Sequence, residues 1–152
     1  MRAGIALGSN LGDRHAALAA AIDTIREFAT PPVLVSGFHE TDPVDCPPGS
    51  PPFLNAAMEI GFQGEPLELL DRLQAIERAA GRPDHRPKNA PRAIDLDVLY
   101  CDDRILDHPR LILPHPLMTT RAFVLAPLAE IAPDRVLPGQ SKTVASLLVA
   151  LS

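Results

Sequence analysis

Prolines decide where regular structure can run in this chain. Seventeen of its 152 residues are proline, and all but Pro66 gather at 31–32, 43–52, 83–91, 109–116 and 127–138. Each lacks a backbone N–H and holds φ near −65°, so a cluster of them ends helices, excludes interior strands and stiffens the loop it occupies. The elements of the fold must therefore be sought in the intervals between.

Those intervals carry two periodicities. Residues 3–8 (AGIALG) read as a buried strand, and Gly8-Ser9-Asn10-Leu11-Gly12-Asp13 as the turn into a helix with Asp13 as its N-cap. The turn lacks the Lys-Ser/Thr ending of a phosphate-binding loop, which excludes that motif. Ala16, Leu18, Ala19, Ile22, Ile25 and Phe28 form a helical stripe that stops at Thr30-Pro31-Pro32. Val33 to His39 reads as a strand, 41–52 as a long loop holding five prolines, and Phe53 to Phe62 as another strand. Pro66 opens a second helix, with Leu67, Leu69, Leu70, Leu73, Ile76 and Ala80 at helical spacing and Gly81 as its stop. A second long loop, 82–91, leads into a strand from Ala93 to Tyr100, and short helical pieces near 117–130 and 143–151 complete a proline-rich tail. No internal repeat is present. The order strand, helix, strand, strand, helix, strand predicts an α+β, ferredoxin-like split β-α-β sandwich: a mostly antiparallel four-stranded sheet, helices on one face, and a C-terminal extension over what remains. A single domain over 1–152 is expected.

Charge narrows the partners. With 14 basic and 19 acidic residues the formal charge is −5, and without a basic tail a nucleic-acid surface is not expected. The local exception is Arg82, His85, Arg86, Lys88 and Arg92, a cluster suited to a small anion rather than a polymer, with a solvated charged loop as the commoner alternative. Cys46 and Cys101 show no C-x-x-C spacing, which argues for reduced thiols and a cytoplasmic setting. No stretch approaches the ~18 apolar residues of a membrane span. A monomer acting on small molecules is the expectation.

The chemistry centres on Ile94-Asp95-Leu96-Asp97-Val98-Leu99. Strand side chains alternate, so Asp95 and Asp97 share one face, about 7 Å apart, while Ile94, Leu96 and Val98 share the other. Two such carboxylates can hold two hard cations ~4 Å apart, the spacing that clamps phosphoryl oxygens. Magnesium suits them, because it combines a few carboxylates with phosphate oxygens and water; a wet, polar edge strand is the alternative for the same pattern. Gln74 and Glu77 share a helix face. His115, between prolines in Leu113-Pro114-His115-Pro116, can donate to a phosphate or bond to backbone, and Arg92, Arg110 and Arg121 can fork phosphate oxygens. Phe53 and Asn55, with Phe123, can clamp and read a flat heterocycle, although core packing is the commoner use of phenylalanine.

Taken in order and spacing, GSNLGD at 8–13, FLNAA at 53–57, IERAAGR at 76–82, PRAIDLDVLY at 91–100, LPHP at 113–116 and RAFVLAPLAEIAPD at 121–134 resemble the 6-hydroxymethyl-7,8-dihydropterin pyrophosphokinase family over essentially the whole chain. The resemblance implies Mg²⁺-dependent transfer of the β,γ-diphosphate of ATP to the hydroxymethyl group of a reduced pterin, with release of AMP, in folate biosynthesis. It implies that Asp95 and Asp97 hold two magnesium ions and that Arg82 and Arg92 close over the phosphates. Thr41, Pro43, Val44, Phe53, Asn55 and Phe123 would bind the pterin; Gln74, Glu77, Arg92, Val98, Arg110, His115 and Arg121 would bind ATP. In the 82–91 loop, Asp84, Asn89 and Ala90 replace the arginine, tryptophan and glycine usual in the family, which implies a slower closing step. The competing class is a non-catalytic ferredoxin-like sensor that binds a nucleotide or heterocycle without turnover.

Overall fold

The computed structural model describes residues 1–41, 49, 52–80 and 93–152. Its elements are β1 (Arg2–Ser9), α1 (Arg14–Phe28), β2 (Thr30–Val35), β3 (His39–Thr41), β4 (Phe53–Gly61), α2 (Pro66–Ala79), β5 (Asp95–Cys101), the hairpin β6 (Leu106–His108) and β7 (Leu111–Leu113), a 3-10 turn at Met118–Thr120, α3 (Ala122–Ile131) and α4 (Val144–Ala150). The sheet runs β2-β4-β1-β5 with every pair antiparallel, and β3 adds to β4. This is the split β-α-β order: β1 and β2, joined through α1, flank β4.

Local signals act as expected at both long helices. Asp13 caps α1 by accepting the N–H of Ala16 at 3.1 Å. Pro66 sits in the first turn of α2, where Glu65 and Glu68 form a reciprocal capping box. Leu18, Ile22 and Ile25 of α1 and Leu69, Leu70 and Leu73 of α2 cover one face of the sheet, meeting Ala3, Ile5 and Leu7 of β1, Met58 and Ile60 of β4, and Leu96 and Val98 of β5.

The second face is covered by the C-terminal extension, as the sequence leads one to expect. There α3, α4 and the 3-10 turn bring Val124, Leu125, Leu128, Val144 and Met118 over Ala57, Leu99 and Tyr100. The tail thus forms a second helical layer over the face that α1 and α2 leave open, and β4 accordingly is buried along nearly its whole length.

Other strand ends shift by one or two residues, and one strand differs more. The expected strand over 33–39 is two pieces lying along one edge of β4, because Ser36 bonds Ala57 through its own N–H (2.9 Å) and its Oγ (2.9 Å), while the N–H of Gly37 turns to Glu130 Oε1 at 3.0 Å. Its first piece also begins earlier, at Thr30, and takes in Pro31 and Pro32; an edge strand tolerates the missing donors, and the register shift between Thr30 and Leu34 accommodates them. The β6–β7 hairpin was not expected in the proline-rich tail; Pro109 and Arg110 form its turn. Pro127 lies within α3 without ending it. Cys101 is buried, and desolvation pushes its thiol up to about 12, so it is a neutral packing group; Cys46 lies outside the described residues. No helix among the described residues is long and apolar enough to cross a membrane.

Candidate active site

The second face of the sheet holds Asn55, Asp95 and Asp97 of the polar residues singled out above. Asp95 lies opposite Gly8 and Asp97 opposite Ala6, so small residues face both carboxylates. On its other side Gly8 is paired with Asn55, which is paired in turn with His39. One rung therefore reads His39, Asn55, Gly8, Asp95. Neighbouring strands are about 4.8 Å apart, which separates the Asn55 and Asp95 positions by roughly 10 Å across a glycine floor. A Cβ at Gly8 would stand 3.3 Å from Asn55 Oδ1 and 3.5 Å from the Phe53 ring, so glycine keeps this floor open.

Asn55 is buried, and its Nδ2 donates to Thr41 Oγ1 at 2.7 Å. That bond orients the amide and leaves Oδ1 turned toward Gly8. Phe53 is half-buried on the same face, and Phe123, from the first turn of α3, packs against the cluster under it. The Arg121 guanidinium stands 5.5 Å from the Phe123 ring centroid.

Along the outer edge of β5 runs a cleft of about 390 Å³, lined by Gln74 and Glu77 of α2, Asp95, Asp97 and Val98 of β5, Arg110 and His115; the Val98 side chain itself is buried in the apolar layer on the other face. Glu77 is buried, and its Oε2 accepts the N–H of Leu96 at 2.9 Å, so a carboxylate takes the place of a further strand. Arg110 donates to Gln74 Oε1 at 2.9 Å and to Asp71 Oδ1 at 2.6 Å, which holds the guanidinium over the cleft. His115 is anchored through its N–H to the carbonyl of Leu99 at 2.8 Å, and its Nδ1 accepts the N–H of Leu117 at 3.2 Å. Burial first, then the charge of Arg121, push its pKa below the ordinary 6.5 against the opposing pull of Asp95. The ring is therefore neutral at neutral pH with its proton on Nε2, a donor.

The expected residues thus fall into two adjoining groups: Thr41, Phe53 and Asn55 about the glycine floor, and Gln74, Glu77, Asp95, Asp97, Val98, Arg110 and His115 about the cleft. Phe123 lies in the helical layer over the same face, with Arg121 beside it, and the Arg121 charge also acts on His115. Pro43, Val44, Arg82 and Arg92 lie outside the described residues. Among the described residues no three His, Cys, Asp or Glu side chains form a cation cage. The donor set of Asp95 and Asp97, two carboxylates, fits a hard cation that completes its shell with water and ligand oxygens.

Two supporting residues had no sequence signal. Arg14 donates to the carbonyl of Pro52 at 2.9 Å and to Glu40 Oε2 at 3.3 Å, joining the residues on either side of 41–51. Asp71 holds Arg110 from 39 positions away. Neither pairing is local, so no spacing rule could have found it.

Comparison with known proteins identifies the lineage. The family model for 7,8-dihydro-6-hydroxymethylpterin-pyrophosphokinase (HPPK) matches residues 4–133. A 2-amino-4-hydroxy-6-hydroxymethyldihydropteridine pyrophosphokinase of Pseudomonas aeruginosa is 43% identical over 135 residues, 88% of this chain and 82% of the relative. One from Bacillus subtilis is 45% identical over 128 residues, covering 84% and 75%. Among solved structures, an HPPK-DHPS in complex with substrates superposes with a TM-score of 0.73 at 13% identity, over 98% of this chain. Plasmodium falciparum HPPK-DHPS with pteroate gives 0.75 at 15% identity, also over 98%. This chain spans 43% and 42% of those longer chains, and at such identities the likeness shows the fold. With a family model covering residues 4–133 and relatives above 40% identity, the chain belongs to the 7,8-dihydro-6-hydroxymethylpterin-pyrophosphokinase family.

Proposed function

We propose that this protein transfers the β,γ-diphosphate of ATP to the hydroxymethyl group of 6-hydroxymethyl-7,8-dihydropterin, releasing AMP, as a step of folate biosynthesis. The observation that carries the reading is the continuous second face on which an oriented amide and a pair of carboxylates flank the open floor of Gly8 and Ala6. Asn55 bonds the polar edge of the pterin, and Phe53 and Phe123 hold its ring faces, with backbone near Thr41, Pro43 and Val44 completing the pocket. That arrangement directs the hydroxymethyl group across the floor toward Asp95 and Asp97. Gln74, Glu77, Val98, Arg110, His115 and Arg121 hold ATP along the edge of β5, with Arg82 and Arg92 on its phosphates.

In the reaction the hydroxymethyl oxygen forms a bond to the β-phosphorus as the bond from that phosphorus to the α,β-bridging oxygen breaks. AMP leaves with the bridging oxygen, and the hydroxyl proton passes to solvent. Asp95 and Asp97 are the residues that would hold magnesium, two ions in this reading, whose chemistry is neutralisation of phosphate charge and acidification of the hydroxyl. The chain's own part is alignment: His115 Nε2–H and Arg110 donate to the triphosphate, while the pterin pocket sets the angle of approach. The enzyme is taken as a monomer in this reading.

The test is incubation with ATP, Mg²⁺ and the reduced pterin, followed by nucleotide analysis. AMP in step with pterin diphosphate is expected; ADP instead, or binding of both ligands with no turnover, overturns the reading. Two variants separate the halves of the site. Gly8→Val puts branched carbon onto the floor between Asn55 and the carboxylates, and KM for the pterin is expected to rise about tenfold or more. His115→Ala removes a donor from the cleft, and KM for ATP is expected to rise about tenfold with the pterin KM unchanged. Equal effects of either variant on both substrates would contradict the division of the site.

A further inference from the structure

Outside the proposed site lies a charged cluster on the same sheet face. Glu59 of β4 is buried and accepts from Tyr100 Oη, from Arg2 Nη2 at 3.1 Å and from Arg135 Nε at 3.2 Å. The Arg135 guanidinium also stands 4.3 Å from the Tyr100 ring centroid. The ring lies across Gly4, where a Cβ would come within 2.3 Å of Tyr100 Cε2.

This contact coincides with a break in the register of β1 against β5. Ile5 pairs with Val98, but Gly4 pairs with Tyr100, so Leu99 is an extra residue, a β-bulge. Without the bulge the ladder from Asp95 to Val98 would continue with Leu99 opposite Gly4 and Tyr100 opposite Ala3. Tyr100 would then point to the apolar face under α1 and α2, its hydroxyl cut off from Glu59. The hydroxyl, the carboxylate and the missing side chain at Gly4 thus favour the bulged register. The bulged residue is the one that holds His115, through the bond from the His115 N–H to the Leu99 carbonyl at 2.8 Å.

We propose that Tyr100, lodged over Gly4 and held by Glu59 and Arg135, is a positioning residue that sets the bulge at Leu99 and through it the place of His115 in the ATP cleft. This inference rests on the function proposed above, because it assigns His115 to ATP. Tyr100 touches no substrate in that reading. It acts by choosing between two registers of β5.

Tyr100→Leu removes the hydroxyl and fits either face, so it abolishes the preference for the bulge. In hydrogen exchange of the ligand-free protein, the His115 amide is expected to exchange about 100-fold faster, while the amides of Ser36 and Ala57 stay within about threefold. In turnover, KM for ATP is expected to rise about tenfold and KM for the pterin to stay within about twofold. Unchanged protection of His115, a uniform loss of protection over the sheet, or parallel rises of both KM values would overturn the proposal. If Tyr100→Leu does not fold, Tyr100→Phe decides by the same measurements, with a smaller effect, about threefold, confined to His115 and to ATP. Exchange is measured without substrates, so a chain that makes no AMP would remove the functional reading and leave the bulge result standing.

Discussion

Alanine in place of Asp95 or Asp97 is expected to lower AMP formation by about 10³-fold or more, with the fold intact. The two side chains share a face of β5, opposite Gly8 and Ala6, and both project into the cleft, while the neighbouring Leu96 and Val98 anchor the strand in the apolar layer under α1 and α2. Removing a carboxylate therefore takes a charge from the site and little from the core. Thermal unfolding should shift by no more than a few degrees, since partly exposed acidic side chains contribute little to stability. The loss should be deeper for the double variant than for either single one, and Asp→Asn at each position should fail nearly as badly, because an amide of the same shape is a poor ligand for a hard cation. Calorimetry of magnesium–ATP separates the possible causes: weaker binding places the aspartates in ligand capture, and unchanged binding with lost turnover places them in the transfer itself. Full activity in both single variants would remove them from the mechanism.

Glu59→Ala is expected to cost about 3 kcal/mol, the largest stability loss from a single polar substitution in the described sheet. The Glu59 side chain is 10% exposed and is shared by Arg2, Arg135 and the Tyr100 hydroxyl, so its removal leaves a buried hydroxyl unpaired and two guanidinium groups side by side. For a chain of this length the midpoint of thermal unfolding should fall by roughly 10 °C. Acid dependence gives an independent check. Burial pushes the Glu59 pKa up, but hydrogen bonds from Tyr100 and Arg2 and the charges of Arg135 and Arg2 outweigh it, and the net shift is downward from 4.5. The folded protein therefore binds this proton less readily than the unfolded chain. Its contribution to stability is complete above pH 4.5 and disappears as pH falls through the depressed folded value. Glu59→Gln keeps an acceptor for Tyr100 and loses the titration, so the advantage of the unsubstituted protein over this variant should be full near neutrality and shrink under acid. A constant difference between the two across that range would show that the carboxylate charge is not what stabilises the cluster.

Much of the architecture was legible because its signals are local. Asp13 is followed three residues later by the N–H it caps, the apolar stripe of α2 recurs every three or four positions, and Asp95 and Asp97 share a face through strand alternation alone. The same locality explains the errors. Val33 to His39 alternates well enough for one strand, and only the side chain of Glu130, 93 positions beyond Gly37, shows why it breaks. Three-residue strands such as β6 and β7 are too short to leave a periodic trace among prolines. The tail was legible as the cover of the remaining face, but the residues it covers, Ala57, Leu99 and Tyr100, were not.

The candidate site divides in the same way. Motif and spacing singled out Asp95, Asp97, Arg110 and His115 and carried the family resemblance, and that resemblance, rather than any spacing, added Val98 and the ATP roles of Gln74 and Glu77. Only the tertiary structure decided how those side chains are held. Arg110 is braced by Asp71, the amide of Asn55 by Thr41, and His115 by the carbonyl of a bulged Leu99. The bulge answers in turn to a tyrosine, a glycine and a glutamate from three strands. A linear pattern can specify which groups a chain owns and which face of its own element each occupies. Register between strands and the partner of a buried polar group depend on residues 41 or 100 positions apart, and those are fixed by packing and hydrogen-bond satisfaction in the folded state.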